Sequence, residues 1–170
     1  PPTAPTTYYR AHVFTNPGTF VVSDLGTTQS NTIEYLVVGG GGGGGHGQTS
    51  NEGSGGGGAG GMRTGSQTAT TTTYPIDVGT GGSGGIFPSD NQFSQAFTGR
   101  MSQFGSPTQT YMRSEGGGGG VGYPKGTGYA RFGGSGGGNM DGGEGGLGDR
   151  VAGLPGSPVP SQGNAGGDGE

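Results

Sequence analysis

Seven consecutive glycines, residues 39–45, follow directly on the apolar run Ile-Glu-Tyr-Leu-Val-Val at 33–38. A strand-like run normally ends in a turn and then enters another strand or a helix, whereas this one enters a tract without side chains. A second strand-like run, at 108–114, leads in the same way into the glycines 116–120. This junction restricts the chain to folds in which some segments pack backbone against backbone, without side chains between them.

The composition makes a conventional core insufficient for the whole chain. Its 170 residues, enough for one domain, include 49 glycines and 11 prolines, and only 25% are hydrophobic. Disorder is the first expectation above roughly 25–30% of glycine plus proline. Ordering a residue costs about 1–2 kcal/mol, and glycine loses most freedom. Because the chain has no cysteine, any order in the tracts must come from pairing of backbone N–H and C=O groups.

Several segments predict β-strands. Residues 8–14, 19–22 and 33–38 are rich in aromatic and β-branched residues, and we expect them to form one antiparallel unit. Residues 67–78 predict a further strand, which Pro75 places at a sheet edge or a bulge, and 108–114 predict another. Phe97 and its apolar neighbours recur at helical spacing, but Gly99 and Gly105 weaken a helix there. We therefore expect little or no α-helix.

The glycine tracts exclude some familiar motifs and suggest another. A dinucleotide site requires a helix after its glycine turn, and residues 43–61 cannot form one. Collagen requires glycine at every third residue, which the tract 133–139 does not keep. Extended helices with three residues per turn have no internal hydrogen bonds, so several of them can bond to each other side by side. The sequence thus indicates a bundle of polyglycine-II helices.

No group of residues predicts catalysis or metal binding. The two histidines, His12 and His46, are isolated in the sequence, and nothing orients a Ser-His-Asp arrangement around them. Two lone histidines do not make a metal site. Asp141, Glu144 and Asp149 lack the spacing of a calcium loop. We therefore predict that the protein is not an enzyme and that it uses no cofactor and no metal.

Two segments are candidate contact sites. Between the later glycine tracts lie Tyr123, Tyr129, Arg131 and Phe132. These residues either contact a receptor or a sugar, or pack against the flat face of a glycine layer, and packing is the favoured alternative. The second segment is an extended, proline-rich arm that could add a strand to the sheet of a neighbouring copy. It consists of Pro1, Pro2, Thr3, Ala4, Pro5, Thr6 and Thr7.

The sequence also resembles a known family. The residues that carry the resemblance are Phe14, Gly18-Thr19-Phe20 and Val22, Glu34-Tyr35-Leu36-Val37-Val38 before the seven glycines, Gly60-Gly61-Met62-Arg63-Thr64, and Tyr74-Pro75-Ile76-Asp77-Val78-Gly79 with Gly81-Gly82. In these it is similar to the glycine-rich domain of phage tail-fibre and related virion proteins, clearly over about residues 8–85. The resemblance implies a small, jelly-roll-like antiparallel β-sandwich that carries packed polyglycine-II helices. Glycine-rich receptor-kinase ectodomains are similar in architecture but usually carry cysteines, which this chain lacks.

We therefore expect an arm at 1–7 and one glycine-rich domain at 8–170, β-rich at 8–38 and 62–115 and polyglycine-rich at 39–61 and 116–170. The expected function is that of a structural and adhesive module of an extracellular or virion-surface fibre, which assembles with itself by strand exchange and contacts a cell-surface receptor or glycan. A non-viral microbial surface filament and an ice-binding protein are the alternatives. A net charge of −4 gives no nucleic-acid surface, and no run is apolar enough for membrane insertion. The chain ends within a glycine-rich stretch, so we expect a neighbouring subunit to supply a closing strand, or that strand to be missing.

Overall fold

The computed structural model describes residues 9–26, 31–47, 53–86, 96–105, 112–122, 130–139, 145–146 and 164–168. Within these ranges the protein is mainly β, with six strands and no α-helix, as predicted. The strands are β1 (Gly18–Val22), β2 (Thr32–Val38), β3 (Met62–Thr68), β4 (Thr72–Asp77), β5 (Ser102–Phe104) and β6 (Met112–Ser114).

The strands form two antiparallel sheets. The first has the order β1-β4-β5-β6, and the second consists of β2 and β3 alone. In the first sheet, Phe20 of β1 lies opposite Tyr74 of β4. In the second, β2 and β3 pair along their whole length, so that their last and first residues, Val38 and Met62, are partners. The ends of β2 and β3 that carry the first glycine tract are therefore held side by side.

A small aromatic core lies between the two sheets. Val37 from β2 packs in one cluster with Tyr74, Ile76 and Phe104 from the larger sheet. The rings of Tyr74 and Phe104 stack with centroids 5.2 Å apart. The hydroxyl of Ser114, which is fully buried, donates to the carbonyl of Val37 at 2.8 Å and ties the sheets together. Each buried side chain contributes about 1.5–3 kcal/mol, so this core stabilises the sandwich but cannot order the rest of the chain.

Pro75 lies within β4, which is an interior strand flanked by β1 and β5, and the prediction of an edge strand is wrong. The missing N–H costs no ladder bond, because β5 pairs only with Ile76 and Asp77. The carbonyl of Pro75 accepts a bond from Gly105 N–H at 2.9 Å, directly after β5. Gly105 has a φ of 86°, which glycine adopts readily. The proline thus stands where the ladder ends.

The prediction of an N-terminal strand at 8–14 is also wrong, since residues 9–14 belong to no strand. Phe14 packs on the core from outside the sheets. The ring of His12, which we expected on a strand face, lies edge-on to Phe20 with centroids 5.2 Å apart. This segment therefore covers the core instead of pairing with β1, because β1 takes its partner, β4, from beyond the first glycine tract.

The other strand predictions are confirmed in part. β1 and β2 form where expected, but they lie in different sheets and not in one unit. The prediction at 67–78 spans the end of β3 and all of β4, between which the chain changes sheets. Within 108–114 the structure has β6, and residues 106–111 lie outside the described ranges. The helical spacing around Phe97 gives no α-helix in 96–105, which contains β5.

Between the strands the backbone forms extended helices of the polyglycine-II type. Their backbone hydrogen bonds, 2.7–3.2 Å long, join different segments and recur at every third residue. Gly39, Gly42 and Gly45, for example, donate to three carbonyls of the segment 53–61. This is the pattern expected when helices with three residues per turn lie side by side. We number them helix I (39–47), II (53–61), III (79–86), IV (96–101), V (115–122), VI (130–134) and VII (135–139).

Helix V is the centre of the bundle. It exchanges hydrogen bonds with helices I, II, IV, VI and VII, and all its residues from 116 to 122 are buried. Helix I bonds to helices II, V, IV and III. Two short pieces, 145–146 and 164–168, pack on helix VII. Helices III and IV fall within 62–115, the range that the sequence assigned to β structure.

Glycine is required inside the bundle because neighbouring backbones leave no room for a Cβ. A Cβ on Gly42 would lie 2.0 Å from the oxygen of Gly118, and one on Gly43 would lie 2.2 Å from that of Ser83. Every glycine from 116 to 120 is blocked in this way, at 1.8–2.3 Å. None of these glycines has a positive φ, so the missing side chain, and not a special backbone conformation, is what the fold needs from them.

Candidate functional site

Successive glycine helices run in opposite directions between the sandwich and the opposite end of the described structure. Helices I, III and V leave β2, β4 and β6 and run away from the sandwich, and helices II, IV and VI run back. Hydrogen bonds join the last turns of the outgoing helices to the first turns of the returning ones, as from Gly45 to Gly55 and from Ala96 to Gly120. We call this end, opposite the sandwich, the distal end.

Small apolar side chains are buried near the distal end. Ala96, Val121 and Ala130 are at most 4% exposed, and they belong to helices IV and V and to the start of helix VI. Side chains of this size fill the space between backbones without separating them. The described part of the distal end is therefore packed.

An exposed group of aromatic and cationic side chains lies on helices IV and VI. The guanidinium carbon of Arg131 lies 5.8 Å from the ring centroid of Phe97, a cation–π contact. Phe97 is 60% exposed, and Phe132, the next residue after Arg131, is 50% exposed. We call Phe97, Arg131 and Phe132 the aromatic patch. It offers ring faces and a positive charge to solvent, which are the groups that bind sugars and acidic or aromatic surfaces.

The structure brings together only some of the residues that the sequence singled out. Arg131 and Phe132 are exposed on helix VI, so neither side chain is buried against the glycine helices. Tyr123, Tyr129 and the arm at 1–7 lie outside the described residues. The sequence does not indicate Phe97 as a partner of Arg131, because the two residues are more than 30 positions apart and share no local pattern. The bonding of the neighbours of Phe97, Ala96 and Gly99, to helix V at three-residue spacing is what places Phe97 outward.

The described residues hold no group of three histidine, aspartate or glutamate side chains that could bind a metal ion. Nor does that part of the chain include a helix long and apolar enough to cross a membrane. His46 is exposed at the end of helix I, and His12 packs on Phe20 in the sandwich.

One of three comparisons with known proteins gives a match. A family model described as a glycine-rich domain matches residues 15–170, which is most of the chain. No curated protein and no solved structure is similar enough to count as a match.

Proposed function

Since the chain belongs to the glycine-rich domain family, we propose that it is a structural and adhesive module of an extracellular fibre, of the kind found in phage tail fibres. The observation that carries the proposal is the bundle itself, in which helices that run away from the sandwich alternate with helices that run back to it. Because helix V bonds to five neighbours and helix I to four, the bundle resists bending. Such a module displays surface groups away from its sandwich, at the surface of a virion, and catalyses no reaction.

The adhesive part of the proposal rests on the aromatic patch. Exposed aromatic rings and arginine are enriched among the residues that anchor protein interfaces. We expect the patch to contact a cell-surface glycan or receptor. Substituting Phe97, Arg131 and Phe132 together by alanine should weaken binding to host cells or to a glycan array at least tenfold. The matched control is Thr98→Ala, which is exposed on the same helix and should bind as the wild type does.

Two results would count against adhesion through the patch. Equal binding by the triple variant and the wild type would move the contact elsewhere on the surface. An absence of binding by the wild type to every cell and glycan tested would remove adhesion from the proposal. Thermal unfolding should be nearly unchanged in the triple variant, because all three side chains are exposed.

The structural part of the proposal is that copies of the chain join end to end. Among the described strands, β1 and β6 are the edges of the larger sheet, and the arm at 1–7 could add a strand to β1. Negative-stain microscopy of the purified protein should therefore show filaments or, at a fibre tip, discrete trimers. Replacing Thr6 and Thr7 by proline removes two N–H donors from the arm and should abolish the filaments.

Microscopy also discriminates the alternative functions. Flexible, dispersed monomers at all concentrations would contradict assembly into a fibre. Long polymers on the surface of cells that produce no virus particles would instead favour a microbial surface filament. Both readings use the same bundle and the same arm, so the source of the polymers, and not their shape, decides between them.

A further inference from the structure

Six glycines on the surface of the bundle are not required by the fold of this chain. They are Gly41, Gly44, Gly53, Gly56, Gly81 and Gly84. A Cβ would meet nothing within 4 Å on two of them, and on the other four its nearest neighbour would be 3.5–3.9 Å away, an ordinary contact distance. None has a positive φ. Because glycine loses more freedom on folding than alanine does, these six positions carry a penalty that nothing within the described chain explains.

The six glycines share one face. Helix III bonds to helix I through Gly82 and Gly85, and helix I bonds to helix II, so the three helices lie side by side in the order III–I–II. We call the exposed row of these six glycines, together with the exposed Ala59 of helix II, the glycine face. Other outward positions carry side chains, such as Thr80 and Ser83 on the second exposed row of helix III. Among these exposed rows, the one without side chains larger than a methyl group is therefore the row on the glycine face.

Helix I lacks two neighbours under this face. Its four partners follow each other around it in the order II–V–IV–III, since II bonds to V, V to IV and IV to III. Parallel cylinders in close packing have six neighbours, so two adjacent places, between III and II, are empty. Gly41 and Gly44 point there, and their N–H groups make no hydrogen bond, whereas those of Gly40 and Gly43 do.

The spacing of these free donors restricts what can occupy the two places. Gly41 and Gly44 are one turn apart, which is about 9.3 Å at 3.1 Å per residue. Another threefold glycine helix presents its carbonyls at the same repeat. A β-strand repeats every two residues, about 6.6–6.8 Å, and does not match. The occupant that fits is a polyglycine-II helix, and a second copy of this chain supplies three of them side by side.

We propose that the glycine face is a contact surface between two copies of this chain. In a symmetric pair, helix I of one copy lies over a groove on the other copy. That groove is formed by the other copy's helix I and one of its neighbouring helices. Both empty places around helix I are then filled, and Gly41 and Gly44 donate across the contact. The face carries no charged side chain, and Val38 and Met62, which are 50% and 59% exposed, continue it onto the sandwich with apolar surface.

This side-by-side contact rests on the proposed function in that fibre copies must associate, but it uses a different surface from the arm. The face is only three helices wide, which is small beside the about 800 Å² per partner of a standard interface. We therefore expect the isolated pair to form in the micromolar range or weaker. Within a fibre, copies held next to each other would associate far more strongly, because the second contact is intramolecular.

The test is to place a charged side chain on the face without disturbing the monomer. Gly44→Lys has room in the monomer, since the nearest atom to its Cβ is 3.9 Å away. Ser83→Lys is the control, because it adds the same charge to an exposed position of helix III that already carries a side chain. By sedimentation equilibrium over about 1–500 μM, we expect the wild type and Ser83→Lys to dimerise alike. Gly44→Lys should raise the dissociation constant at least 100-fold, with unchanged thermal unfolding at low concentration.

Amide hydrogen exchange gives a second measurement on the full chain. As the wild-type concentration rises, the amides of Gly41 and Gly44 should gain protection, because they acquire acceptors only in the pair. In Ser83→Lys they should do the same. In Gly44→Lys, Gly41 should stay unprotected at every concentration, while the amide of Gly42, bonded within the chain, should be protected throughout.

The outcomes separate this inference from the proposed function. The glycine-face contact is overturned if the wild type forms no side-by-side pair, or if Gly44→Lys pairs as well as the wild type. Either result holds even where filaments form through the arm. Conversely, the variant with proline at Thr6 and Thr7 should lose filaments and keep the pair. Thermal hysteresis that Gly44→Lys abolishes would show that ice, and not a second copy, occupies the face, and would also overturn the inference.

Discussion

Two adjacent glycines of helix I should respond to the same substitution with opposite signs. In Gly42→Ala the new Cβ would lie 2.0 Å from the oxygen of Gly118 in helix V, and 2.5 Å from its carbonyl carbon. In Gly41→Ala it would lie 3.8 Å from the nearest atom. Both residues have a backbone conformation that alanine adopts without strain, since neither φ is positive. The comparison therefore isolates the effect of closeness between backbones.

The size of the Gly42→Ala effect follows from what must move. Helix I would have to shift by about 1 Å or more to bring the Cβ to a tolerable distance, which lengthens the two hydrogen bonds that helix V donates to helix I, now 2.8 and 2.9 Å. A buried bond left unmade costs about 1–3 kcal/mol, and overpacking costs about 1–3 kcal/mol. We expect a loss of about 3–5 kcal/mol. Gly41→Ala should gain about 0.4–1 kcal/mol, because it restricts the unfolded chain.

Chemical denaturation at low micromolar concentration measures both changes, with circular dichroism to follow unfolding. An alanine scan of helix I should then give one permissive position in each turn, at Gly41 and Gly44. The same scan over 116–120 should give none, because every one of those positions is blocked. Equal effects at Gly41 and Gly42, or a scan of helix V with tolerant positions, would refute the account of backbone packing.

Substitutions at three further positions test the sandwich by denaturant unfolding. Ser114→Ala removes the 2.8 Å bond to the carbonyl of Val37 and should cost about 1–2 kcal/mol; a change within about 0.5 kcal/mol, as for an ordinary surface site, would mean that the bond does not tie the sheets. Tyr74→Phe removes a hydroxyl that accepts from Thr70 N–H at 3.0 Å and should cost about 1 kcal/mol, against about 3–5 kcal/mol for Tyr74→Ala. Gly105→Ala forces a side chain into φ 86° and should cost about 1–2 kcal/mol, so a neutral result would contradict a positive φ there.

The strands that the sequence predicted are those with their own apolar pattern. β1 and β2 contain runs of aromatic and β-branched residues and were found within a residue of their expected bounds. β3 reads Met-Arg-Thr-Gly-Ser-Gln-Thr and has no such pattern. It is a strand because β2 pairs with it along its whole length, with Tyr35 lying over Gly65. A partner far along the chain decides such a strand, and the segment alone does not indicate it.

The glycine helices were predicted where glycine is continuous and missed where it is not. Helices III and IV require glycine where a neighbour is close, as at Gly82 and Gly99, and both of these are blocked at 2.0 Å. Several of their outward positions carry threonine, serine, phenylalanine or arginine. In these two helices the hydrogen bonds to each neighbour recur at every third residue. That repeat cannot be recognised in the sequence without knowing which side of each helix has neighbours.

The candidate site shows the same limit. Arg131 and Phe132 stood out because they interrupt glycine, which is a property of the sequence. The contact of Arg131 with Phe97 depends on helices IV and VI both bonding to helix V, and those bonds link residues that are remote in the chain. Which side chains share a surface is thus set by the order of helices around helix V, and no local pattern carries that order.

The sandwich and the bundle are coupled through a shared register. Val38 and Met62 are partners in the β2–β3 ladder, and the next residues continue it as the bond from Gly39 N–H to the carbonyl of Gly61. The ladder thus fixes which residue of each turn faces helix V and which faces solvent. A small aromatic core cannot order the bundle by burying its surface, but it fixes the phase from which the three-residue pattern starts. The glycine tracts become ordered because this phase places each blocked glycine beside a carbonyl of a neighbouring helix. That carbonyl occupies the space that a side chain would otherwise fill.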